Sequence, residues 1–128
     1  MGAELFRIAA HEAAELDVSR IIVLRQSLGD ERCREVVEEV VFHLTDRLAQ
    51  LQTALDTGDA CEAQLLSHRL ASLSDQVGLS DFARVARDLA ACLAAENATA
   101  AAAVGARLLR LGEDSLFSVL VYADQSAL

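Results

Sequence analysis

The sequence predicts an all-α protein: an up-down-up-down four-helix bundle with one or two short N-terminal helices packed on it. Three observations carry that expectation. The 128 residues hold no proline and much alanine; proline breaks helix interiors, whereas alanine favours them. Apolar residues recur at helical spacing along most of the chain, and no period-2 alternation is long enough for a strand. Breaks of the Gly-Asp and Glu-Asn kind separate the periodic stretches, so successive helices are joined by short loops and lie antiparallel. A chain of this length is a single domain, with a bundle core over about 31–122 and residues 1–28 as its N-terminal cover.

Taken in order, residues 3–15 read as a short helix with Leu5, Ile8, Ala9 and Glu12 at helical spacing. Asp17 or Ser19 can cap a second piece from Arg20 to Ser27 that carries Ile21, Ile22 and Leu24. After Gly29, Asp30 is expected to cap a long helix over 31–56, whose Val37, Val41, Leu44, Leu48, Leu51 and Leu55 alternate spacings of four and three. Val36, Val40 and Phe42 widen its apolar surface, which implies more than one neighbour. Thr57-Gly58 breaks the chain, and Asp59 with Glu62 three residues on forms a capping box for a helix over 59–78. Gly78 ends that helix, and Ser80 is expected to cap the next, over 81–95, with Phe82, Val85, Leu89 and Cys92 or Leu93 as its core stripe. After Glu96-Asn97 the last helix covers 98–122 through Val104, Leu108 and Leu111. Gly112 interrupts it, and the apolar phase shifts to Leu116, Phe117 and Leu120, which predicts a kink or a stop and restart there.

Composition narrows the function. A net charge of −9 argues against nucleic acid or an anionic membrane as a partner, since both repel it. Cys33, Cys61 and Cys92 are widely spaced and odd in number, which fits reduced thiols in a cytoplasm and neither a disulfide framework nor a zinc site. The apolar run from Leu116 is too short to span a bilayer, and the first sixteen residues carry acids and no basic leader, so the expectation is a soluble, cytoplasmic monomer.

The stretch with chemistry in it is EAQLLSHRLASLSDQVGLSDF, from Glu62 to Phe82. On a helical wheel Leu66, Leu70, Leu73 and Val77 share one narrow face, and His68 lands nearly opposite, with Gln64, Ala71, Ser72 and Asp75 around it. The imidazole is therefore expected in water, mid-helix and away from the helix ends. Ala71 and Ser72 are small where a solvated face usually carries Lys or Glu, and positions 64, 71 and 72 offer no carboxylate to pair with it. An imidazole at cell pH is largely neutral and offers a lone pair. It can attack a phosphoryl group held in line and form a phosphoramidate that is itself a donor. The sequence has no Gly-rich phosphate loop, no Walker lysine and no clustered Asp pair for Mg²⁺. A nucleophile without that apparatus implies a partner that brings it.

These residues resemble the histidine-containing phosphotransfer (HPt) domains of bacterial multistep phosphorelays. Their motif is His-x-Leu-Lys-Gly-x-Ser-x-x-x-Gly on the second bundle helix, and His68, Leu70, Ser74 and Gly78 stand at its matching positions. Helix order and breaks also match over about residues 20–122. The resemblance implies a carrier, not an enzyme. His68 would accept a phosphoryl group from one response-regulator receiver domain and yield it to another, and a hybrid histidine kinase is a further possible partner. No cofactor is implied for this chain; Mg²⁺ and the catalytic Asp belong to the receiver. Two positions depart from the motif. The family lysine that helps hold the phosphoryl group is Ala71 here, and the glycine after it is Ser72, whose hydroxyl can serve a phosphoryl oxygen. Arg69, about 100° round the helix from His68, and Arg84 and Arg87 on the next helix are substitutes for the missing cation, with Gln64 as a further polar neighbour.

For docking, Ala83, Ala86, Ala90 and Ala94 make a stripe that serves equally well for close helix packing or as a flat, weakly apolar surface for a receiver. Ala71 and Asp75 would join it in the second case. A non-phosphorylated adaptor that binds a receiver or kinase is the alternative function, and Ala71 favours it. A bundle metal site built on His11, His43 and His68 lacks any Glu-x-x-His spacing, and His43 is expected packed or half-buried beside Phe42. Cys61, two turns before His68 on the same side, reads as an inert thiol.

Overall fold

The computed structural model describes residues 16–126, which form five helices and no strand among the described residues. They are α1 (Val18–Leu28), α2 (Asp30–Thr57), α3 (Ala60–Gln76), α4 (Ser80–Ala94) and α5 (Ala98–Ser126). The four longer helices make the all-α bundle that the sequence predicts, with α3 packed on α2 and α4, and α5 closing the ring against α4 and α2. The short helix α1 packs on α2 through buried Ile21. The expected helix over residues 3–15, and His11 with it, lies outside the described residues.

The core runs down the axis of the four long helices. Val37, Leu44 and Leu51 come from α2, Leu66 and Leu70 from α3, Phe82, Val85 and Leu89 from α4, and Leu108, Leu111 and Val119 from α5, all buried. Two side-chain caps form as the sequence implies: Asp17 accepts from the Ser19 amide at 3.1 Å, and Asp59 accepts from the Glu62 amide at 3.1 Å. Two others do not. Asp30 and Ser80 are the first residues inside their helices; the capping positions belong to Gly29 and Leu79, neither with a side-chain bond.

The turn between α3 and α4 is also where the chain ahead of α1 is tied down. Gly78 has φ +81°, a conformation that costs an L side chain roughly 1–2 kcal/mol. Its carbonyl accepts the Asp17 amide at 2.7 Å, and a Cβ at Gly78 would stand 2.2 Å from the Asp17 carbonyl oxygen. The glycine thus serves both the turn and the close approach of a second strand of backbone.

Gly112 behaves differently from its expectation. α5 runs through it as one helix, and its core register continues through Ser115, Val119 and Ala123; Phe117 is 70% exposed. Ser115 sits where an apolar residue would have marked the phase, so the sequence pattern jumps where the helix does not. A Cβ at Gly112 would meet Leu48 Cδ1 at 2.9 Å and Phe82 Cε2 at 3.2 Å. The missing methyl lets the Phe82 ring lie against the α5 backbone, which offsets the roughly 1 kcal/mol helical cost of glycine. On α2, Val40 is buried and Val36 partly so, but Phe42 is 70% exposed and His43 is exposed beside it. The two rings meet edge to face at 5.7 Å on the outer surface, so His43 is not the packed residue that its neighbours in sequence suggest.

Candidate functional site

Helix α3 buries more than one stripe. Leu66, Leu70 and Val77 face the core, and Ala63, Ser67, Ala71 and Ser74 add a second buried row. That row is made of small residues at 63, 67, 71 and 74, and α4, which packs on this helix, buries the small residues Ala83, Ala86 and Ala90 as well. Small side chains on both sides let the two helices approach closely. The Ser67 and Ser74 hydroxyls donate to Ala63 O at 2.8 Å and Leu70 O at 2.6 Å, one turn back in their own helix, so no buried hydroxyl is left unpaired in this contact.

The expected docking surface is corrected by this packing. Ala71, Ala83, Ala86 and Ala90 are at most 2% exposed, and none of them is available to a visiting protein. The wheel centred on the leucines put Ala71 on the polar side; the true buried arc is wider and is shifted towards α4. The row of small residues four and three apart was the signal that could have found it.

What remains outside is a strip along α3. His68 is exposed, with Ser72 one turn on, Asp75 two turns on, Arg69 beside it and Gln64 half-buried one turn before. Leu65, one turn before His68 on this strip, is 45% exposed, an apolar side chain that the sequence reading missed. Leu70 and Ser74 are fully buried and hold the helix in place, as their motif positions imply. The helix thus presents the ring because its other side is committed to two neighbours.

The candidate cations divide. Arg84 pairs with Asp81 at 2.7 Å within α4. Arg87 reaches across the groove from α4 and pairs with Asp75 of α3. Asp75 and His68 are about 20° apart on the helix, which puts Arg87 and His68 on the same α3–α4 groove. Arg69, exposed, lies on the other flank of His68, about 100° round the helix.

The thiols are spread out: Cys33 is buried, and loss of hydration pushes its thiol pKa up; Cys61 is exposed and Cys92 half-buried. Among the described residues no three His, Cys, Asp or Glu side chains gather to hold a metal ion, and no helix is long and apolar enough to cross a membrane.

With this geometry established, the chain can be set against known proteins. No protein-family model matches the sequence, and no curated protein matches it either. A solved structure does match: the crystal structure of histidine-containing phosphotransfer protein B (HptB) from Pseudomonas aeruginosa PAO1. The TM-score is 0.75 over 91% of this chain and 96% of that one, at 22% sequence identity. The two share a fold. That common architecture is the all-α bundle expected from the sequence.

Proposed function

We propose that the protein is a phosphorelay carrier and that His68 is its phospho-acceptor. The observation that carries this reading is an imidazole standing in solvent in mid-helix on a bundle that shares the HptB fold. Its one-turn neighbours on α3 are Gln64, Leu65, Ala71 and Ser72, so no carboxylate there competes for the ring. A ring nitrogen attacks the phosphorus of a receiver's aspartyl phosphate; the N–P bond forms as the P–O bond to the carboxylate breaks, and the carboxylate leaves. The reverse step, with a second receiver's aspartate as nucleophile, returns the ring to its starting state. Mg²⁺ and the aspartate are the receiver's contribution.

The docking partner is a receiver domain, and the surface offered to it is the strip Leu65–His68–Ser72 with Arg69 on its flank. Leu65 supplies the apolar contact that the buried alanines cannot. The cation that the motif's lysine would supply falls to Arg87. Asp75 lies on the same face of α3 as His68, and on release from it the guanidinium would exchange a carboxylate for the phosphoryl oxygens. Ser72 offers its hydroxyl to the same oxygens.

Incubation of the full chain with a phosphorylated receiver should transfer an acid-labile, base-stable label, and His68→Gln should abolish it while the helicity by circular dichroism stays unchanged. Label retained in His68→Gln would refute the assignment. Arg87→Ala should keep the label but shorten its lifetime about tenfold, equivalent to ~1.4 kcal/mol. Ala71, buried and uncharged where the motif has lysine, favours a second reading, an adaptor that binds a receiver and is never phosphorylated. Binding without any label on the wild-type chain would establish that reading instead.

A further inference from the structure

At the end of the bundle away from Gly78, the C-termini of α2 and α4 and the N-termini of α3 and α5 surround a trough of about 620 Å³, within the range of small-ligand sites. Its origin is in the sequence. The first turns of α5 read ATAAAAVGA, and these short side chains cannot fill the space that leucines fill nearer the middle. Ala54, Ala63, Ala101 and Gly105 are buried in its floor, and half-buried Leu55 and Leu93 form its walls. The rim carries the carboxylates Asp56, Asp59 and Glu96, all exposed, and among the described residues no lysine, arginine or histidine lines the trough.

Two helix N-termini and two C-termini meet there, so their partial charges largely offset and the rim keeps its three formal negative charges. Asp59 is tied to the Glu62 amide and Asn97 to the Ala100 amide at 3.1 Å, which fixes the rim's shape. Glu96 is held at φ +55°, the one non-glycine residue at positive φ among the described residues.

We propose that this trough binds a small amphiphilic cation, with an alkyl body along the alanines and an ammonium head at Asp56, Asp59 and Glu96. Among the described residues the apolar lining has no cover and the rim no counter-charge, which selects that class over an anion of the same length. A second copy of this chain would bring the same acidic rim and a net charge of −9, and the two would repel. The site lies on the end of α3 ahead of His68 and does not depend on the function proposed for that residue.

The test is a titration of the ¹⁵N-labelled full chain with decyltrimethylammonium and, separately, decyl sulfate, both below micelle-forming concentration. The expected result is saturable amide shifts for the cation confined to residues 54–63 and 92–106, with the anion at least tenfold weaker. Ala102→Leu, an exposed helical position on the trough, should weaken the cation at least tenfold at unchanged helicity by circular dichroism. Asp56→Asn with Glu96→Gln should bring the two probes within threefold of each other. Shifts spread over all five helices, absence of saturation, equal affinity for both probes in the wild-type chain, or a dimer by sedimentation in place of ligand shifts would each overturn the proposal.

Discussion

The two ends of this bundle are built from the same helices and are finished in opposite ways. At the hairpin end, Phe82 packs on the bare backbone of Gly112, Val77 and Leu79 are buried, and the chain at Asp17 is bonded to the Gly78 carbonyl. At the other end, alanines leave a trough and Glu96 is held in a strained conformation. The difference teaches that helix pattern alone does not decide how well a bundle closes. Side-chain volume and the presence of a covering segment decide it, and α3, which carries His68, is gripped firmly at one end and loosely at the other.

Substitutions can break or sharpen that contrast. The largest effect is expected for Phe82→Ala, which empties the closed end and should cost about 3–5 kcal/mol in chemical denaturation. Gly78→Ala comes next: it adds αL strain and pushes on the Asp17 backbone, for a loss of about 2–3 kcal/mol together with faster amide exchange at Asp17. At the open end, Asp59→Ala should cost only about 1 kcal/mol, the value of one cap. Glu96→Gly should have the opposite sign to Gly78→Ala and stabilise by about 0.5 kcal/mol, because relief of strain outweighs the added freedom of the unfolded chain. The smallest effect is a pH dependence at the closed end. Two hydrogen bonds from Ser19 hold the Asp17 carboxyl below its ordinary pKa, so its contribution is present above that ordinary value and is lost as pH falls through the lower, folded one. Wild type and Asp17→Asn should therefore converge in thermal midpoint on acidification and separate again towards neutrality.

Much of this was legible in the chain. The four long helices, the capping role of Asp59, the exposure of His68 and the burial of Leu70 follow from local spacing, and local spacing survives tertiary context when a helix has one dominant face. It failed where a helix has two. Ala71 was assigned to the surface because leucines alone defined the inside of α3, whereas Ala63, Ser67 and Ser74 show that small residues define a second inside. Gly112 was read as a break because glycine propensity is a local quantity, and its purpose is Phe82, thirty residues away in sequence. Ser115 hid the register of α5 by being polar and buried, and Phe42 did the reverse by being aromatic and exposed. Asp30 and Ser80 are good caps by type, but they stand one residue inside the helices they were assigned to start. The role proposed for Arg87 depends on its pairing with Asp75 across the hairpin, and no pattern within α4 encodes it.

The two serines under His68 have a last consequence. Since Ser67 and Ser74 turn their protons inward to the helix that bears them, they give α3 nothing directional with which to lock onto α4. The pair of helices is held in register by contour, by the exposed Arg87–Asp75 pair and by the short turn at Gly78, much as two ratchet bars with shallow teeth are held by a pin at one end. Replacing either serine by alanine should leave the alignment as it is, while a single valine there would lift one bar off the other and carry the imidazole with it.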